Sequence, residues 1–90
     1  MYLHLGQNTV VPMDSILGVF DLDNTTGSHI TRQFLKQAEQ AGQVKSVSDD
    51  LPKSFVLCME QGKQAIYLSQ LSPATLLKRA EGHLSDGNER

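Results

Sequence analysis

Ninety residues, 39% of them apolar, are enough for one small domain with one core. Eight Lys and Arg against ten Asp and Glu leave a net charge of −2, so bulk charge does not mark a nucleic-acid binder. A single Cys excludes an intramolecular disulfide or a zinc site built of cysteines. The longest apolar runs are about five residues, against the roughly 20 of a membrane-spanning helix. No basic stretch leads into an apolar run at the N-terminus, so no signal peptide is expected. The expectation is a cytoplasmic protein without a membrane partner.

In chain order, Tyr2-Leu3-His4-Leu5 and Thr9-Val10-Val11 are β-prone runs separated by Gly6-Gln7-Asn8, which predicts a hairpin. Pro12 ends the second run because it has no N–H for a ladder. Ile16-Leu17-Gly18-Val19-Phe20 predicts a stronger strand, with Gly18 marking a bulge or a close backbone approach. Thr25-Thr26-Gly27-Ser28 then opens a helix with Ser28 as N-cap. Ile30, Phe34, Leu35, Ala38 and Ala41 recur on one side of it, and Gly42 suits the residue just past its end.

Val44 to Val47 reads as a short strand, and Ser48-Asp49-Asp50-Leu51-Pro52 as a turn-rich loop. Two further β-prone runs, Ser54 to Met59 and Gln64 to Ser69, flank the hairpin signal Glu60-Gln61-Gly62-Lys63. Ser72-Pro73 starts a last helix, which is expected to reach about Ala80 with Leu76, Leu77 and Ala80 inward. The fold class is α+β: a small mixed or antiparallel sheet, one amphipathic mid-chain helix and a short C-terminal helix. Residues 1–81 form the single domain, and residues 82–90 read as a flexible polar tail. A sheet this small leaves unpaired edges, and pairing them between subunits makes a symmetric homo-oligomer the expected state.

The sharpest local motif is Phe20-Asp21-Leu22-Asp23-Asn24-Thr25 after an apolar strand. It resembles the Asp-x-Asp-x-Thr motif of haloacid-dehalogenase-type phosphatases, with Asp21 as nucleophile, Asp23 as general acid/base and a Mg²⁺ between them. That chemistry needs further Ser/Thr and Lys stations on other strands, which this short chain does not supply. Side-chain capping of a loop before a helix accounts for the same residues. No enzyme, catalytic residue, cofactor or metal is expected. His4, His29 and His83 are too scattered for a ligand pair, and Cys58 sits inside an apolar strand as an inert thiol.

Positive charge is concentrated after residue 31, since residues 1–31 hold Asp14, Asp21 and Asp23 but no Lys or Arg. Arg32 and Lys36 share the outer face of the first helix. Lys53 stands in the loop before a strand, where one lysine per subunit becomes a circle of charge if subunits form a ring. Lys78 and Arg79 suit the negative end of the last helix dipole.

Taken together, Met1-Tyr2-Leu3-His4-Leu5-Gly6, Val10-Val11, Ile16 to Asp21, Pro52-Lys53-Ser54 with Phe55-Val56-Leu57, and Tyr67-Leu68-Ser69 through Lys78-Arg79-Ala80 carry a collinear resemblance. The chain resembles the RemA/RemB family of bacterial extracellular-matrix (biofilm) regulators, and is nearer to RemB. That resemblance implies a ring-forming transcriptional regulator that binds DNA mainly through phosphates. In the RemA branch, arginines before the central strand and near the start of the Ile16 strand contact DNA. Those positions fall on Leu51-Pro52-Lys53-Ser54 and on Ser15; Leu51, Pro52 and Ser15 replace basic residues, and Lys53 keeps a charge. The expected DNA-binding set is Lys53, Ser54, Ser15, Arg32 and Lys36. The alternative is an oligomeric adaptor for another regulatory protein, without DNA.

Overall fold

The computed structural model describes residues 1–22 and 29–88. In order they form β1 (Tyr2–Gly6), β2 (Thr9–Pro12), one turn of 3-10 helix (Met13–Ser15), β3 (Ile16–Asp21) and α1 (His29–Gln40). The chain continues with β4 (Val44–Ser46), β5 (Ser54–Glu60), β6 (Lys63–Ser69) and α2 (Pro73–Asn88). β1 and β2 pair as an antiparallel hairpin. The other four strands make a mixed sheet in the order β3-β5-β6-β4, with β4 parallel to β6 and the other pairs antiparallel.

The turns have local causes. Gln61 and Gly62 both adopt positive φ (52° and 79°), the combination that lets a two-residue hairpin follow the strand twist. Gly42, at φ 73°, closes α1: its amide donates to Glu39 (3.0 Å), and the Gln43 amide to Ala38 (3.0 Å). Ser72 caps α2 through the Thr75 amide (3.2 Å), ahead of Pro73 at the first helical position. The Ser28 cap expected for α1 lies outside the described residues. Between Ile16 and Gly18 the β3–β5 register shifts, so Leu17 is the extra residue of a bulge. A Cβ on Gly18 would lie 3.0 Å from the Phe20 ring. Glycine there lets that ring fold back along its own strand and stack on Phe55, with centroids 4.7 Å apart.

Both faces of the sheet are covered. Val56, Cys58, Ala65 and Tyr67 point to one side, where Leu3, Leu5 and Val11 of the hairpin and Leu76 of α2 complete a core. Phe55 and Ile66 point to the other, against Leu22, Ala38 of α1 and the half-buried Phe34 and Leu35. Ile30 and Ala41, assigned to the inner side of α1 by spacing, are exposed, because they begin and follow the helix beyond the sheet it covers. Leu77 is corrected too: it is 60% exposed, since Pro73, Leu76 and Ala80 form the inward stripe and Leu77 only borders it. α2 also continues through Asn88 instead of stopping near Ala80. Gly82 and Gly87 weaken it by about 1 kcal/mol each, and no proline follows to end it.

Buried polar groups fasten the layers. The Ser69 hydroxyl, fully buried, donates to the Leu5 carbonyl (2.7 Å) and accepts from the Leu71 amide (3.0 Å), tying the hairpin to the sheet. Tyr67 donates to the Glu60 carboxylate (2.7 Å), and Lys45 lies 3.9 Å from that carboxylate and 5.4 Å over the Tyr67 ring. Burial, then the Glu60 bond and charge, push the Tyr67 hydroxyl from 10.0 up to about 12.

Two outcomes follow from these anchors. Ser69→Ala leaves the buried Leu5 carbonyl without its donor and lowers unfolding free energy by about 1–3 kcal/mol in urea titrations; a loss within error would show that the bond is not a fastener. Because unfolded Tyr67 gives up its proton at 10.0 and folded Tyr67 only at about 12, its stabilising effect is complete below the lower value and is lost as pH rises to the higher one. Tyr67→Phe therefore shows a shallower alkaline loss of stability across that window, and an unchanged slope would contradict the assignment.

Candidate nucleic-acid interface

The strand directions sort the candidate residues by end of the sheet. Asp21 pairs with Ser54 and Ile16 with Cys58, so Lys53 lies beside the C-terminal end of β3 and Ser15 precedes its N-terminal end. Five strand steps of about 3.3 Å put them roughly 17 Å apart in one subunit. Arg32 and Lys36 stand on α1, the layer over the second face, with their side chains exposed among His29, Gln33, Gln37 and Gln40. One subunit therefore does not gather the five candidates into one patch.

Lys53 is the best-presented cation of the set. Its side chain is exposed while its backbone is held on both sides: its amide donates to the Ser69 carbonyl (2.8 Å) and its carbonyl accepts from the Leu22 amide (2.9 Å). A loop lysine on a fixed backbone loses less freedom on meeting a phosphate than one on a mobile tip. Ser54, directly after it, is fully buried and donates its hydroxyl to the Leu71 carbonyl (2.8 Å). It supports the loop from beneath and presents no group to a ligand.

Ser15 is similarly committed, donating to the Pro12 carbonyl (2.7 Å) at the turn that leads into β3. It also hydrogen-bonds the Cys58 thiol, which offsets part of the rise that burial imposes on that thiol. A buried thiol held protonated in this way is a packing group and a poor nucleophile. Asp21 is half-buried at the β3 end, and Asp23 and Thr25 of the phosphatase-like motif lie outside the described residues. Among the described residues no group of three or more His, Cys, Asp or Glu is arranged to hold a metal ion.

The neighbours of Lys53 carry information that residue type alone did not give. Asp49 and Asp50, read from sequence as turn formers, are both exposed in the same loop, with Ser48 capping the Asp50 amide (3.0 Å). Leu51, next to them, is 87% exposed. The loop therefore presents two carboxylates, one apolar side chain and one ammonium, and its net charge is negative. The signal was present in the sequence as adjacency, since Asp49, Asp50 and Lys53 stand within five consecutive residues.

No family model matches the chain. The sequence is 41% identical over 81 residues to extracellular matrix regulatory protein B of Bacillus subtilis (strain 168), covering 90% of this chain and 91% of that protein. Identity at that level over nearly the whole of both chains places this chain in the RemA/RemB family of extracellular-matrix regulatory proteins, nearer to RemB.

Proposed function

We propose that this protein regulates extracellular-matrix production as a homo-oligomer whose subunits each set Lys53 against a DNA phosphate. The regulatory role rests on the relative's name and on the extent of the alignment. The DNA contact rests on one observation, the exposed Lys53 side chain on a backbone pinned to Ser69 and Leu22. A single ammonium beside Asp49 and Asp50 holds a phosphate weakly, because the loop's own carboxylates repel the same anion. Repetition in an oligomer converts those weak contacts into one multivalent grip. With no base-reading helix or Asn/Arg constellation among the described residues, such binding is sequence-tolerant and strongly salt-dependent.

The acidic pair supports a second reading. A loop that presents Asp49, Asp50 and an exposed Leu51 suits a basic protein partner with an apolar socket, and the chain then acts as an adaptor without DNA.

Fluorescence anisotropy of a labelled duplex, titrated across a salt series with oligomer mass read on the same sample, separates the two. DNA contact predicts saturable binding that weakens steeply with salt. Lys53→Glu then lowers low-salt affinity at least tenfold, and Asp49→Asn with Asp50→Asn raises it several-fold. An assembled wild-type protein that leaves the duplex free at low salt refutes the DNA reading and leaves the adaptor.

A further inference from the structure

The hairpin of β1 and β2 buries one face and leaves the other without the charges that usually solvate such a surface. We infer that this outer face docks a short acidic segment of a partner protein, with an apolar side chain on Tyr2 and Val10 and a carboxylate on Arg79. The surface is separate from the Lys53 loop, so the inference holds whether or not DNA is bound.

Alternation along the strands divides the hairpin. Leu3, Leu5 and Val11 turn inward and are sealed in the core. The register sets Tyr2 opposite Pro12 and His4 opposite Val10, so these four side chains share the outer face. Neighbours on one strand stand about 7 Å apart and cross-strand partners about 5 Å, a patch sized for one aromatic or aliphatic side chain. Tyr2 is 58% and Val10 47% exposed. An antiparallel pair with one solvated face ordinarily carries polar residues there. Here residues 1–13 contain no Asp, Glu, Lys or Arg, and the outer face offers two rings, a valine and a proline. An exposed surface of that kind is a contact surface.

Charge decides the partner. Arg79 of α2 lies beside β1, where its guanidinium donates to the His4 carbonyl (3.3 Å). That bond uses one of the five guanidinium N–H donors and holds the group at the border of the patch, with the side chain still exposed. The nearest carboxylates in sequence face elsewhere. Asp14, past Pro12, lines a cleft with Gln43 and Lys45, and Glu81 lies about half a turn from Arg79 around α2. A carboxylate beside the apolar anchor therefore meets a guanidinium already held where it is needed. A nucleic acid fits less well. Arg79 is the cation that reaches the patch, and valine and proline give a base no plane to stack on.

The probe is a fluorescein-labelled nonapeptide with a central Phe-Leu pair flanked by glutamates and a benzophenone for photo-crosslinking. Anisotropy is expected to show saturable binding to the wild-type protein, weakened roughly tenfold by Val10→Asp and by Arg79→Glu. Crosslinks are expected between Tyr2 and Pro12 and beside Arg79. Arg79→Glu is expected to bind a lysine version of the peptide more tightly than the wild type does. Both substitutions fall on exposed positions, so the unfolding midpoint and the oligomer mass are expected to keep their wild-type values. A wild-type protein that leaves the peptide free at about millimolar concentration, or binding that both variants retain, overturns the assignment. A changed oligomer mass in either variant also overturns it, by giving this face to a second copy. Displacement of the peptide by a single-stranded oligonucleotide does the same, by giving the face to nucleic acid.

Discussion

The register of the β5–β6 hairpin governs most of this structure, because both strands are buried on both faces and each successive residue belongs to a different core. Val56 and Cys58 face the N-terminal hairpin and α2, while Phe55 and Leu57 face α1. A slip of one residue would exchange the two sets and present Phe55 to a space shaped for valine. The two-residue turn at Gln61 and Gly62 holds that register by pairing Glu60 with Lys63. The same register places Ser54 opposite Ser69, and these two buried hydroxyls fix the segment that follows β6 and the end of β1. The Lys53 loop is stiff for this reason: it hangs from the end of the best-determined ladder in the molecule.

The parts of the fold that sequence reading recovered are those whose causes are local. A Gln-Gly pair between β-prone runs, a glycine after an amphipathic stretch and Ser-Pro before another each specify a turn or a cap within four residues. What was not legible depends on where an element lands. The spacing of Leu76 and Leu77 makes both inward candidates, and only the docking of α2 against β1 and β3 decides that Leu76 is sealed and Leu77 is not. Ile30 likewise fits the apolar face of α1 by period, yet it lies beyond the part of the sheet that the helix covers. Ser54 read as a candidate DNA contact because the resemblance carries the family's contacting loop onto Leu51-Pro52-Lys53-Ser54. The carbonyl of Leu71, 17 residues away, claims it instead.

The candidate site was legible as chemistry and illegible as geometry. Lys53 is exposed, as its loop position implies. That Ser15 lies at the far end of β3 follows only from antiparallel pairing with β5, which a list of residues does not contain. Within one subunit the distance between them is set by the strand, and no side-chain rearrangement shortens it.

Charge distribution separates the candidates in a second way. With a net charge of −2, this chain attracts a polyanion only where its cations are segregated from its carboxylates. Segregation exists, but on the scale of the whole subunit: acidic at the end of β3, basic on α1, paired at Lys45 with Glu60, and mixed in the Lys53 loop. An isolated copy therefore offers a weak and screened field. Under the function proposed above, repetition of α1 and the Lys53 loop from copy to copy is what would add these weak fields together.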